Sequence, residues 1–591
     1  MKKSKNIFIT LLTLGIFVSC TNDFQDINQD PNVAVPPSEY LLTYAMKEMG
    51  TYKGAEWYHE NHQSMTWAQY LVQGESNAGG VDNLLDGSRY GTFYGSVINH
   101  LSEFRRQVSL LSEEEQEIRK KMVAVSDILQ AYFALKITDQ YGRIPYTEAS
   151  LGRSEGLTNP DYDTQEEILN TLLSELDNAI SVLNENLEVE YDFSGIDFFY
   201  GADWDKWIKC ANAVKLRIAT RFESQDESKT RSIIASVVSG NGSFATEDDQ
   251  FVFDISQTEE WRGTGGADFE WKGTMWAPKP TIEYMKETLD PRLRIFYQVN
   301  GYHEGTLDIY ESTGTPIPAA IDTENDNKVL YTTAEGEAIL GYRYIGVPPY
   351  RQDPTIGQMD YNYADNSLVA GINANMISKY HKRLLQNVDE NYGGPRIDGK
   401  YVDVFISYAE VCLMMSEFIL KGYTNGDAEE WYENGIKASI NTYNMLGEVQ
   451  NLALIVGNIP YNYLPVSDSE INNYLIQTDV AFNGTNDLEK VYIQAFLNFY
   501  RLPEEGWALS KRTGYPRFGS PILARTPVDN NELKFPRRIP TPEPGDLNRE
   551  NWLRANSEQG FINPQDITPA ALNEQRLWWD ANNPSIGNGG N

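Results

Sequence analysis

Apolar residues recur in steps of three and four along several long stretches of this chain, a spacing that predicts amphipathic helices. Ile118, Met122, Val125, Leu129 and Tyr132 fall on one such face, and Ser112 with Glu115 supplies a capping-box pattern ahead of them. Thr164 and Glu167 repeat that pattern before Ile168, Leu172, Leu176, Ala179 and Leu183. Trp207, Ala211, Val214, Ile218 and Arg221 mark a third helix, and a further pair is predicted over 405–420 and 428–443. Helices that come in pairs suggest tetratricopeptide-like hairpins, each covering its neighbour's apolar face, although no strict repeat period is present.

The periodicity breaks at about residue 240 and returns near 400. Gly, Thr, Asp, Pro and aromatic residues fill the interval, with short strand-like pieces such as Phe251-Val252-Phe253. The expected architecture is therefore mainly α: a helical scaffold over 39–240, an irregular loop-rich insertion with short strands over 241–400, and C-terminal helices and loops over 401–591 packing on the same body. Irregular segments held by a rigid frame are where ligand contacts concentrate. The Gly/Asn-rich end, 582–591, reads as disordered.

The amino terminus has a different pattern. Lys2, Lys3 and Lys5 precede an apolar run over 7–18, and Ser19-Cys20 follows. A basic start, a short greasy core and a small residue before the cut describe an export signal over 1–19. The run is too short to span a bilayer, which takes about 20 apolar residues. Phe17-Val18-Ser19-Cys20 is similar to a bacterial lipoprotein cleavage site, with Cys20 as the lipidated new first residue and 20–38 as a polar tether. An ordinary secreted protein with a chance cysteine at the cut is the alternative.

Charge narrows the partners. The chain has 84 acidic against 49 basic residues among 591, a formal charge of −35. Phosphate binding needs clustered Lys and Arg, so nucleic acid is an unfitting partner. The same charge keeps the protein body off an anionic membrane, leaving the lipid as the attachment. Cys210 and Cys412 both lie in apolar helical stretches and read as small core residues rather than a disulfide.

Several strings suggest chemistry and fall short of it. His59-Glu60-Asn61-His62 spaces its histidines at i and i+3, whereas a helical zinc-protease site needs i and i+4. Asp322-Thr323-Glu324-Asn325-Asp326-Asn327 starts like a calcium loop, but its sixth residue is Asn and its twelfth is Thr333. No cofactor is expected beyond an incidental Ca²⁺ there, and no metal site. With so many carboxylates, pairs at glycosidase spacing arise by chance, so none can be singled out and no catalytic residue is assigned. Loop aromatics are the stronger lead, because Trp and Tyr offer flat apolar faces with polar edges. Candidate ligand residues are Trp67, Tyr70, Asn83 and Arg89 in a first cluster that begins with Trp57 and Tyr58 and includes Asn77. Trp261, Trp271, Trp276, Tyr344 and Tyr350 form a second, with Tyr342 beside it. Packing beneath loops is the competing reading for every aromatic among them.

A set of local strings is more specific together than apart. Phe24-Gln25-Asp26-Ile27-Asn28-Gln29-Asp30-Pro31-Asn32 follows the lipidated cysteine. Thr138-Asp139-Gln140-Tyr141-Gly142-Arg143-Ile144-Pro145-Tyr146 closes the first long helix, and Pro160-Asp161-Tyr162-Asp163-Thr164-Gln165 opens the next. Trp207-Ile208-Lys209-Cys210-Ala211-Asn212, Asp290-Pro291-Arg292-Leu293 and Ser407-Tyr408-Ala409-Glu410-Val411 come after. Lys511-Arg512-Thr513-Gly514-Tyr515-Pro516 and Pro536-Arg537-Arg538-Ile539-Pro540 stand near the end.

In this order the set resembles the SusD/RagB family of Bacteroidetes surface lipoproteins over nearly the whole chain. That resemblance implies a tetratricopeptide-like helical body, a ligand site on irregular loops, and no catalysis. It also implies a partner, a SusC-like TonB-dependent outer-membrane barrel over which the lipoprotein sits as a lid. The expected function is capture of an oligosaccharide at the cell exterior and its delivery to that transporter. Peptide capture, as in the RagB branch, and a surface glycoside hydrolase are the alternatives. Arg217, Arg292 and Arg538 read as clamps on carboxylates or carbonyls.

Overall fold

The computed structural model describes residues 38–50, 63–73, 88–240, 242–254, 275–299, 401–452, 463–527, 535–561 and 568–590, with short pieces at 312–314, 329–332, 338–341, 344, 346, 378–385, 454–456, 459–461, 563 and 566. It is mainly helical. In chain order the longer helices are α1 (Ser38–Glu48), α2 (Ile98–Ser109), α3 (Glu113–Tyr141), α4 (Gln165–Leu183), α5 (Trp204–Phe222), α6 (Glu227–Ser239) and α7 (Lys279–Glu287). Then come α8 (Tyr408–Leu420), α9 (Ala428–Val449), α10 (Asp468–Leu475), α11 (Asp487–Asn498), α12 (Pro503–Thr513) and α13 (Arg549–Glu558), with shorter helical turns between them.

The helices start and stop where their local chemistry dictates. Ser112 Oγ accepts from Glu115 N at 3.3 Å to open α3, and Glu113, Glu114 and Glu115 fill its positive first turn. The helix ends at Gly142, whose φ of +82° favours glycine, and a Cβ there would collide with Gln559. Thr164 and Glu167 form a reciprocal capping box on α4, with bonds of 3.1 and 2.9 Å. Neighbours α3 and α4, α4 and α5, α5 and α6, and α8 and α9 pack as consecutive antiparallel pairs, the hairpin arrangement expected.

Two expectations need correcting. Residues 405 and 406 belong to a strand, Val402–Ile406, which pairs antiparallel with Phe251–Asp254; α8 begins only after Ser407, whose Oγ accepts from Glu410 N. A short buried run of Val, Phe and Ile carries no period that separates strand from helix, so the boundary was legible only in the serine. The carboxy terminus is ordered rather than disordered over 582–590: Phe518 N donates to Gly587 O at 2.7 Å, Gly589 N donates to Gly514 O at 3.2 Å, and Ile586 is buried. Its glycines allow the close approach, since a Cβ on Gly587 or Gly589 would strike Phe518 or Tyr515.

Four small two-stranded sheets complete the described regular structure. One apolar core runs from Leu42 through α3, α4 and α5 to Ile586, and a second unites Met65, α7, α9, α11 and Leu523. Buried ion pairs tie α3 and α5 to each other and to the carboxy-terminal helices. Arg217 bonds Glu410 and lies 3.2 Å from Glu505, Arg221 bridges Asp139 and Glu505, and Lys136 meets Glu504. Cys210 and Cys412 are buried free thiols, as expected. Among the described residues no helix is long and apolar enough to cross a membrane.

Candidate functional site

The α7 helix ends in a Schellman turn. Asp290 N donates to Met285 O at 2.9 Å and Leu289 N to Lys286 O at 3.3 Å, which places Leu289 at the left-handed position with φ +58°. Glycine is the usual residue there; leucine adopts it at a cost of about 1–2 kcal/mol. This leucine is also 56% exposed. A strained, exposed apolar side chain at a helix end is unusual, and it stands at the mouth of a cleft.

The cleft has a volume of about 360 Å³, lies between the 285–294 turn and α10, and is walled by Leu289, Pro291, Tyr344, Arg294, Glu470 and Asn473 among others. That volume is in the range of small-ligand sites. Its floor is rigid because of Arg292, the fully buried residue of the Asp290-Pro291-Arg292-Leu293 string. Arg292 Nε and Nη2 donate to the Asp290 carboxylate at 2.9 and 2.7 Å, Nη1 reaches Ser439 at 3.0 Å, and Nη2 reaches Gln494 at 2.8 Å. The turn is thereby tied to α9 and α11.

One wall is equally fixed. Arg294 Nη1 donates to Glu470 Oε1 at 2.6 Å, and its other nitrogens reach Leu464 O and Pro465 O. Glu470 in turn accepts from Ser467 N and Oγ, closing the capping box of α10. Burial would raise the Glu470 carboxyl, but the Arg294 hydrogen bonds and charge outweigh it and hold it below its ordinary value. Asn473 is exposed on α10, and Tyr344 enters from the 241–400 segment with only 2% of its surface exposed. The arrangement offers an apolar ridge at Leu289 with Tyr344 packed behind it, and amide and charged groups beside fixed partners. It suits a ligand with apolar patches and a hydroxyl rim.

Of the sequence-derived candidates among the described residues, Tyr344 alone borders this cleft, and it does so as a nearly covered side chain. Trp67, Tyr70, Arg89 and Trp276 are buried and are corrected to packing roles. Trp67 lies against Trp507 at a ring distance of 4.8 Å. Tyr70 stacks on Phe496 at 4.3 Å and donates its hydroxyl to Phe496 O at 2.5 Å. Arg89 approaches Glu504 at 3.7 Å inside the core, and Trp276 is covered in the strand pair with Val72. The physical reason is that 63–73 threads beneath α12 in a one-turn helix, so it lacks a period while being interior. Asn83, Trp261, Trp271 and Tyr350 lie outside the described residues, as do Trp57, Tyr58, Asn77, Tyr342, Cys20, His59, His62 and the 322–327 string. Among the described residues no group of three or more His, Cys, Asp or Glu is placed to hold a metal.

Leu289, Arg294, Glu470 and Asn473 escaped the sequence reading. The one available signal was a helical run over 279–287 followed by Asp-Pro with no glycine between. The three arginines read as clamps on carboxylates or carbonyls act so: Arg217 and Arg292 hold carboxylates, and Arg538 bonds the carbonyl oxygens of Gln575 and Ile539 against the Phe561 ring.

Comparison with known proteins gives one family and a set of folds. The SusD-like family model, described as starch-binding and associating with the outer membrane, matches residues 30–345 and 352–542. No curated protein sequence matches the chain. A solved chitin-binding protein is 20% identical with a TM-score of 0.65, covering 92% of this chain and 100% of its own. A SusD homolog from Bacteroides fragilis NCTC 9343 is 18% identical with a TM-score of 0.62, covering 92% and 99%. A chitin-binding SusD homolog from Flavobacterium johnsoniae is 17% identical with a TM-score of 0.59, covering 93% and 99%. At these identities the likeness is one of fold.

Proposed function

This chain belongs to the SusD-like family of outer-membrane-associated proteins, and from that premise we propose that it is a lipid-anchored, outward-facing glycan-binding protein that passes its ligand to a SusC-like transporter. The observation that carries the reading is the cleft at the end of α7, where Leu289 is held strained and exposed beside Tyr344 and Asn473. A sugar ring would lay its CH face on the exposed leucine and its hydroxyls on Asn473 and Arg294. The family description and the chitin-binding titles of two structural relatives support a glycan over other ligands.

The cleft is built for holding rather than cutting. A glycosidase needs one carboxyl kept protonated and one ionised. Among the described residues both carboxylates of this cleft are committed to arginines, Asp290 to Arg292 and Glu470 to Arg294. A shallow site of this kind gives about 4–8 kcal/mol of binding, weak enough for release into a pore.

Calorimetry of the detergent-solubilised full chain with maltohexaose and chitohexaose tests the reading. Binding to wild type, weakened at least tenfold in Asn473→Trp with an unchanged melting temperature, is the expected result. Saturable binding of defined peptides with no glycan response would move the reading to peptide capture. Release of new reducing ends would move it to hydrolysis.

A further inference from the structure

A second cleft, of about 550 Å³, opens on the far side of the 463–466 segment and is lined by Phe199, Tyr200, Lys206, Asn441, Asn444 and Glu448, with Glu247 and Asp248 at its rim. The two clefts share a strut. Arg294, on the wall of the first, bonds the carbonyls of Leu464 and Pro465, while Asn444, in the second, accepts from Tyr463 OH at 2.9 Å and Val466 N at 2.7 Å. Nothing assigned so far uses this second cleft.

Its walls are preformed. Tyr200 is set by its hydroxyl bond to Asp249 O at 2.9 Å, and both it and Phe199 keep part of their surface exposed. The opposite wall is the α9 helix, where Asn441 Nδ2 donates to Glu247 Oε1 at 3.0 Å across the opening. The floor is polar and satisfied: Gln250 Oε1 accepts from Thr442 Oγ1 at 2.9 Å and from Tyr408 N at 3.2 Å. The cleft has volume enough for a pyranose ring, and its walls carry two part-exposed aromatic rings with amide and carboxylate groups, so little need reorganise on binding.

Charge selects the ligand. Glu247, Asp248 and Glu448 are exposed at the opening, and Lys206 is the one cation among the described lining residues. A uronate or sulfate group would meet net repulsion there, at distances too short for salt to screen fully. Neutral hydroxyls instead find acceptors in the carboxylates and donors in the asparagine amides.

We propose that this cleft is a second glycan-contact site, selective for neutral over anionic sugars, placed across the 463–466 strut from the first. The inference rests on the glycan reading of the chain, and the experiment separates the two. Asn441→Trp fills the cleft from an exposed position on α9, where folding should be undisturbed; equal melting temperatures verify this, and Glu448→Lys supplies a second variant that changes charge without bulk. With maltohexaose and chitohexaose, calorimetry of the full chain should give two molecules bound per wild-type chain and one per Asn441→Trp chain. Asn473→Trp should retain one weaker site that the Asn441→Trp/Asn473→Trp double variant loses. Hexagalacturonate should show no Asn441-dependent binding to wild type and should gain it in Glu448→Lys. Unchanged stoichiometry in Asn441→Trp, or a uronate site that Asn441→Trp removes from wild type, overturns this inference while leaving the glycan reading intact. Absence of neutral-glycan binding to wild type overturns both.

Discussion

The guanidinium of Arg217 on α5 meets the carboxylate of Glu410 on α8 side-on, Nε donating at 2.8 Å and Nη2 at 2.7 Å, with both side chains almost wholly buried. The Phe405 carbonyl takes a further bond from Nη2 at 3.1 Å, so the same arginine also fixes the strand that precedes α8. Residues almost two hundred positions apart are thereby locked in one register, and the amino-terminal hairpins cannot shift relative to the helices that carry both clefts.

Breaking that pair on one side leaves the buried Arg217 without its bidentate partner and with Glu505, 3.2 Å away, as the carboxylate still beside it. Glu410→Leu is expected to lower unfolding free energy by about 3–5 kcal/mol, whereas Arg217→Met with Glu410→Leu should cost clearly less than those two single changes summed. Urea denaturation of the four proteins checks this; additive losses would show that the pair does not act as a unit.

Trp67 and Tyr70 test the distinction between core and ligand aromatics. Trp67→Ala and Tyr70→Ala should each destabilise by about 3–5 kcal/mol, because they empty space beside Trp507, Phe496 and Gly506. Maltohexaose affinity measured on the folded fraction should stay within about twofold of wild type.

What the sequence disclosed follows from how far each signal reaches. Ser112, Thr164 and their glutamates set helix starts through bonds made within four residues, so those boundaries could be read directly. The hairpin body followed, and with it the family. The cleft could not be read this way, because Leu289 becomes notable only through a backbone angle, and Glu470 and Arg294 meet across 176 positions. Trp67 and Tyr70 misled for a related reason: a segment without periodicity can thread the interior as easily as it can cross the surface. The Gly-rich tail at 582–590 misled by composition, since its glycines serve close packing against Tyr515 and Phe518.

Acid should weaken the fold through His381. Burial, with some help from the Arg383 charge, pushes this imidazole down to about 4 from an ordinary 6.5. The folded state therefore binds its proton less readily than the unfolded chain does. This contribution to stability is fully present above pH 6.5, falls as pH drops, and is lost through pH 4, a total of about 3 kcal/mol. His381→Gln should flatten that part of the pH–stability curve between pH 6.5 and 4; an unchanged slope would place the acid sensitivity elsewhere.

Attachment to the membrane should depend on one atom. Cys20→Ala removes the thiol that would carry the lipid, and the protein should move from the outer-membrane pellet to the soluble fraction. A variant that still pellets would mean that another part of the chain holds the membrane.

Leu289→Gly sets stability against function at a single position. Relief of the left-handed strain returns about 1–2 kcal/mol, and the added freedom of glycine in the unfolded chain takes back about 0.5–1 kcal/mol. The balance favours the variant, so its melting temperature should rise. If the leucine is retained because its exposed side chain packs against ligand, the same change should weaken maltohexaose binding about threefold to tenfold, in line with the loss of part of a leucine contact. Leu289→Asn, which tolerates the same backbone angle, should behave alike. A more stable protein with undiminished binding would remove Leu289 from the site and leave its strain without a functional reason.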